Sequence, residues 1–259
     1  MLRSKKMTVK ELYTRLENRI PKELSEPWDN DGLMCCSDAL QEIHKILITL
    51  DVTEDVVDYA MESGVDLIIS HHPLIFKPLT SIREDNHVAR KIIKLLASEI
   101  TVMSFHTRLD KVSGGVNDYL CGVLGIEDAV PFGEGDLGRI GYIPEERLLD
   151  DFALHVKECL EADVVRVSDA LNPVRHVAIV GGDGKSYVKD AIALGADTYV
   201  SGRIGYNVME EAAEMGINLI EAGHYFTEQP ITEFLRDLLY SFDPTLSIEI
   251  ISSNQIKSL

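Results

Sequence analysis

The chain is poor in several of the residues that define protein classes. Only four of its 259 residues are cysteine, namely Cys35, Cys36, Cys121 and Cys159. They form no CxxC pair and no disulfide-type spacing, and the adjacent Cys35 and Cys36 are badly placed to bridge to each other. That pattern reads as a protein of a reducing compartment, with the pair in a buried structural role. Positive charge is also scarce: 25 Lys and Arg stand against 43 Asp and Glu, a formal net charge of −18. Nonspecific binding to nucleic acid or to an anionic membrane surface needs clustered Lys and Arg, so both are disfavoured. No run of about eighteen apolar residues occurs that could span a membrane. The basic segment "MLRSKKMTVKELYTRLENRI" has no apolar signal core, so a cytoplasmic protein is expected. Low-complexity segments and long linkers are missing too. At 45% hydrophobic and 26% charged residues, the composition is that of a globular chain long enough for one large α/β unit or two smaller lobes.

What is present is a rhythm. The segment "MTVKELYTRLENRIP" reads as an amphipathic helix, with Thr8 as N-cap and Glu11 as its capping-box partner. Apolar strand runs then alternate with helical patterns: strands at 45–51, 65–70 and 100–106, helices at 53–64, 87–99 and 115–125. The stretch 126–172 departs from this, with turns and a strand in "GEGDLGRIGYI", then a helix in "PEERLLDDFALHVKECLEA" carrying Pro144 in its first turn. The rhythm resumes with strands at 175–182, 196–202 and 217–224 and helices between them. A helix over 227–242 and a strand over 246–252 close the chain. Such alternation predicts mostly parallel sheets with helices on their faces.

The two alternating stretches align without a gap at an offset of 131 residues. Ile48, Val57, Ala60, Gly64, Asp66 and Ser70 match Ile179, Val188, Ala191, Gly195, Asp197 and Ser201. An internal duplication follows: two similar α/β lobes, 1–125 and 126–259, with the last helix and strand free to pack back on the first.

Ligands of parallel α/β sheets bind beyond the carboxyl ends of the strands. At those ends stand His71 and His72, then His106 with Asp110 four residues on, then His224 with Glu228 four residues on. One strand-end histidine is usually structural. Three strand ends carrying histidine, two of them with a carboxylate at the same spacing, point to metal. Imidazole and carboxylate together suit Zn, Mn, Fe or Ni, and six candidates suit two ions about 3.5–4 Å apart. His44, His87, His155 and His176 lie at element starts or within helical patterns and read as surface or packing residues. The segment "GGDGKS" (181–186) is not a phosphate loop, because the required glycine is replaced by Ile179.

The segments "WDNDGL" (28–33), "SHHPLIF" (70–76), "HTRLDKVSGGVND" (106–118) and "GHYFTE" (223–228), in this order, resemble the Nif-three-like, YbgI-like family of dinuclear-metal proteins. Many of its members bear the description GTP cyclohydrolase I type 2-like. The resemblance implies the Nif-three-like fold with a metal cleft between the lobes and assembly as a homohexamer. It also implies two divalent ions per chain held by His71, His72, His106, Asp110, His224 and Glu228. Glu228 would bridge the ions or take a proton from bound water. Asp29, Asn30 and Asp31 either support the site from behind or only make a turn. Arg108 and Arg203 depart from the family pattern and are candidates to hold a substrate phosphate.

Two functions are therefore expected as alternatives. The first is a metal-dependent hydrolase acting on a nucleotide or related small molecule, with purine-ring opening, phosphoester hydrolysis and amide hydrolysis all compatible. The second is a non-catalytic metal-binding regulatory or adaptor protein. A ring that threads single-stranded DNA is disfavoured by the net charge.

Overall fold

A computed structural model describes residues 6–258. Thr8 caps α1 (Val9–Arg19), and its Oγ1 accepts from the Glu11 N–H while Glu11 accepts from the Thr8 N–H, a complete capping box. The chain continues through β1 (Gly32–Cys35), β2 (Lys45–Thr49), α2 (Glu54–Glu62), β3 (Leu67–Ser70), α3 (His87–Ala97), β4 (Thr101–Ser104) and α4 (Thr107–Lys111). Next come α5 (Val116–Leu124), β5 (Glu127–Phe132), β6 (Gly138–Arg147), α6 (Leu149–Cys159), β7 (Arg166–Ser168) and β8 (Val174–Asp183). The remainder is α7 (Val188–Ala193), β9 (Thr198–Arg203), α8 (Tyr206–Met215), β10 (Asn218–Glu221), α9 (His224–Glu228), α10 (Ile231–Phe242) and β11 (Ser247–Ile250). No described helix is long and apolar enough to cross a membrane.

The chain divides into two compact units, one running to Val112 and including Thr232–Gln255, the other spanning Ser113–Ile231 and the segment from Ile256. The first holds a five-stranded sheet in the order β1-β4-β3-β2-β11, with β1 alone antiparallel. Ile46, Leu47 and Ile48 of β2 are all fully buried, the near-continuous apolar run of a parallel strand covered on both faces. Leu47 packs with Val56, Val57 and Ala60 of α2 and with Ile92 and Leu95 of α3. Side chains alternate across a strand, so Ile46 and Ile48 face the other side. The closing strand β11 pairs in parallel with β2, Ser247 opposite Lys45 through Ile250 opposite Ile48. Helix α10 meets α1, with Phe234 and Phe242 under the guanidinium groups of Arg19 and Arg15.

The second unit holds a six-stranded sheet in the order β5-β6-β8-β9-β10-β7. It is mixed: β8, β9 and β10 are parallel, while β5, β6 and β7 pair antiparallel. One face carries α5 and α6 through Leu120, Leu124, Phe152 and Val156. The other carries α7 and α8 through Val188, Ala191 and Ala212. Helix α5 packs with α6 within this unit, which begins at Ser113. Two expected elements differ. Pro144 is not in a helix but in β6, where pairing with β8 shifts register between Tyr142 and Arg147, a place in a strand where a missing N–H costs little. The helix expected over 227–242 is two helices, α9 and α10, because Pro230 interrupts it.

The 131-residue offset is visible in the hydrogen bonding. The Asp66 carboxylate accepts from the N–H groups of His44 and Lys45. Asp197 accepts from those of Arg175 and His176. Each pair of donors is offset by 131, as are the two aspartates. In both units this aspartate ties the start of one parallel strand to the start of its neighbour.

Candidate metal centre

In the first unit β3 and β4 end side by side, and the chain leaves each at a histidine. The ladder to β2 extends past β3, with His71 N–H donating to Thr49 O (3.3 Å) and His72 N–H to Leu50 O (2.9 Å). His71, fully buried, His72 and His106 converge, with ring centroids 4.9, 5.3 and 5.6 Å apart. Their ligand nitrogens all lie within 4.8 Å of one another.

Each ring is held by its Nδ1. His71 Nδ1 lies 2.9 Å from Phe105 O, His72 Nδ1 2.8 Å from Asp51 Oδ1, and His106 Nδ1 2.9 Å from Asp29 Oδ1. A carbonyl and a carboxylate only accept, so each Nδ1 is the donor and each neutral imidazole carries its lone pair on Nε2. This is the arrangement by which proteins fix the tautomer and orientation of metal-ligating histidines. Asp110, on α4, adds a carboxylate oxygen 3.6 Å from His71 Nε2. The first unit thus brings together four of the six residues singled out in the sequence. These side chains can hold a metal ion.

The supports are themselves supported. Asp51 accepts from Ser253 Oγ (3.1 Å), on the segment after β11. Asp29 is enclosed: burial would raise its carboxyl, but hydrogen bonds from His106 and from both the N–H and hydroxyl of Thr107 outweigh this and hold it well below the usual carboxylate range. Asp29 therefore does more than make a turn. Asp31 accepts from Lys22, Ser25, Arg108 and the His106 N–H, and Asn30 donates from Nδ2 to Ile75 O.

The reading of Arg108 as a phosphate ligand is corrected. Its guanidinium is 0% exposed, donates to Glu17 (2.5 Å), Ile20 O (3.1 Å) and Asp31 (3.2 Å), and lies 4.6 Å from the Phe105 ring. Those contacts leave it no access to a ligand in solution. Arg203 is exposed at the end of β9. Cys35 lies in the core, and burial pushes its thiol up to about 12.

In the second unit His224 and Glu228 sit one turn apart on α9, with His224 Nε2 3.1 Å from Glu228 Oε2 and Glu228 buried. Thr227, between them, accepts from the Gly182 N–H (3.0 Å), pinning α9 to the end of β8. Gly182 has φ +67°, and a Cβ there would run into Glu228 Oε1. The "GGDGKS" turn that fails as a phosphate loop is thus a seat for the Glu228 carboxylate. Gly182, Thr227, Asp51 and the Phe105 carbonyl went unnoticed in the sequence; the missing phosphate-loop glycine beside an intact "GG" was the only local signal.

Fold and site together define a two-sheet α/β protein with a histidine cluster able to hold a metal ion at the carboxyl ends of parallel strands. The chain belongs to the DUF34/NIF3 (NGG1p interacting factor 3) family, whose sequence model matches residues 7–258. It is 36% identical over 232 residues to the GTP cyclohydrolase 1 type 2 homolog of Clostridium perfringens, covering 87% of this chain and 88% of that one. It is 33% identical over 258 residues to the protein of the same description from Streptococcus pneumoniae, covering 95% and 96%. Among solved structures, the Bacillus cereus protein related to NIF3 superposes with a TM-score of 0.86 at 26% identity, covering 99% of this chain and all of that one.

Proposed function

We propose that this protein is a metal-dependent hydrolase of a nucleotide or related small molecule, holding two divalent ions per chain. The proposed ligands are His71, His72, His106 and Asp110 from the first unit and His224 and Glu228 from the second. The observation that supports this most is the anchoring through Nδ1 of three histidines whose ligand nitrogens lie within 4.8 Å of one another. Bound divalent ions would supply an acidified water and a polarised electrophile. The chain's part is to hold the imidazoles oriented through Nδ1 and to offer Glu228, seated against Gly182, as the group that takes a proton. The description shared by the bacterial relatives, GTP cyclohydrolase 1 type 2 homolog, makes GTP the first substrate to try.

The alternative, a non-catalytic metal-binding regulatory protein, has in its favour the family's description as an interacting factor. Metal content per chain, measured by elemental mass spectrometry on untagged protein beside His72→Ala and Glu228→Ala, tests the first part. About two equivalents in wild type, lost in both variants, is the expected result. Protein that takes up no Zn, Mn, Fe or Ni would overturn the metal reading. A metal-loaded protein that turns over no member of a nucleotide, phosphoester and amide panel would favour the regulatory alternative.

A further inference from the structure

Trp28 is the chain's single tryptophan, yet it is 61% exposed, and Phe76 beside it is 46% exposed. Their ring centroids lie 6.1 Å apart at 73°, an edge-to-face pair that leaves open aromatic face to solvent. Both also meet His106 edge-on, each centroid at 6.2 Å. The pair therefore flanks one of the three converging histidines. Most exposed apolar side chains need no explanation when scattered singly. Two large aromatics paired against a buried polar cluster are a different case.

Nor are these rings on loose loops. Asn30 donates to Ile75 O, joining the loop after Trp28 to the loop before Phe76. The Asp29 N–H donates to Glu26 O, and its carboxylate grips His106 and Thr107. Leu74 and Ile75 pack on the core of the first unit. The backbone beside both rings is thus anchored before any ligand arrives, which reduces the ordering that binding requires. Arg108, the one arginine in this neighbourhood that the sequence offered for a phosphate, is buried and engaged, so recognition here falls to ring faces.

We propose that Trp28 and Phe76 form a stacking site for a planar heteroaromatic ring of the nucleobase class, placing that ring beside His106. As a substrate subsite this rests on the metal-centre reading above; as a binding site it is tested separately. Because Trp28 is the only tryptophan, its fluorescence reports the site directly. Guanosine 5′-monophosphate and ribose 5-phosphate, which share the phosphate and differ by the base, are titrated into metal-loaded and metal-free protein, with metal content measured on the same samples.

A saturable change with the nucleotide and none with the sugar phosphate is expected. Phe76→Ala, at an exposed position that leaves folding intact by circular dichroism, should weaken the apparent Kd on the order of ten-fold. Trp28→Leu, which removes the reporter, should do the same by calorimetry. No saturable nucleotide response from metal-loaded protein overturns the stacking site while leaving the metal centre standing. So does an equal response to both compounds, an unchanged Kd in Phe76→Ala, or a signal that follows protein concentration alone. A nucleotide response in protein that never takes up metal supports the stacking site and overturns the metal reading.

Discussion

Replacing Asp29 by asparagine tests whether the hydrogen bonds behind the histidines set their metal affinity. The side chain of Asp29 is fully buried. Its Oδ1 accepts from His106 Nδ1 (2.9 Å), and its Oδ2 from the Thr107 N–H (3.1 Å) and hydroxyl (2.6 Å). An asparagine in the same rotamer has one acceptor for these two positions. If its oxygen faces Thr107, its amide N–H₂ faces His106. The imidazole must then accept at Nδ1 and carry its proton on Nε2, where a metal needs a lone pair. If its oxygen faces His106, two N–H donors oppose each other at Thr107. Either way, presenting the Nε2 lone pair to a metal forfeits one of the buried hydrogen bonds that the Asp29 carboxylate makes, about 1.5–3 kcal/mol. At 1.4 kcal/mol per decade, Zn affinity should fall about ten- to hundred-fold. Asp29→Ala removes the partner without imposing a tautomer and should lose less. Competition against a chromophoric chelator measures both, with thermal unfolding as the check on folding. An Asp29→Asn protein that binds Zn as tightly as wild type would refute the argument, and an alanine variant weaker than the asparagine one would reduce Asp29 to a structural role.

Three other outcomes are expected. Arg108→Met should destabilise the protein by about 3 kcal/mol, at the low end for a broken buried pair because Asp31 keeps Lys22 and Ser25; an unchanged melting temperature would reopen the phosphate-binding reading. Gly182→Ala and Gly195→Ala both force an alanine to positive φ, +67° and +79°, for roughly 1–2 kcal/mol of strain. Only the Gly182 substitution also drives a methyl into Glu228, whereas Gly195 has open space, so only it should lower metal content; equal metal content in the two would separate Gly182 from the site. Burial would raise the Glu221 carboxyl, but the N–H groups of Gly205 and Ile204 and the Arg166 guanidinium hold it below its ordinary 4.5. A depressed folded-state value means that its stabilisation is complete above 4.5 and is lost as pH falls below it. Glu221→Gln should flatten the acid limb of the melting-temperature profile, and an unaltered limb would show the carboxylate to be indifferent.

The parts of this molecule legible in its sequence are those governed by periodicity. β2, β3 and β4 read as strands because parallel strands buried on both faces are continuous apolar runs. β5, mostly exposed, and β1, four residues entered through Gly32 at φ +114°, carry no such run and were not anticipated. The strand-end histidines were visible because strand ends were. Their supports were not. Asp51 meets His72 only because β2 and β3 are neighbours in the sheet, a relation between positions 21 residues apart. The acceptor for His71 is a backbone carbonyl, which residue type does not encode. Arg108 misled because an arginine beside a metal motif looks like an anion ligand; that it lies over Phe105 between Glu17 and Asp31 is a fact of tertiary packing.

The two units repeat one pattern and differ at one strand end. Each copy keeps the aspartate that ties neighbouring strands, and each closes its third parallel strand with a histidine followed four residues on by a carboxylate: His106 with Asp110, His224 with Glu228. The copies part at the end of the second strand. His71 and His72 are matched at the offset by Gly202 and Arg203. In the first unit that position supplies two imidazoles. In the second, a Cβ on Gly202 would collide with Thr227 and with the Gly182 carbonyl, so the glycine lets α9 settle onto the strand ends and bring Glu228 to Gly182. One strand end carries two imidazoles, and the other leaves the space in which a carboxylate is seated. A histidine introduced at 202 should therefore not create a second triad. It should displace α9 and weaken the His224–Glu228 pair, which metal content of Gly202→His beside wild type would read as a loss. A gain of metal would refute this account of how the two copies diverged.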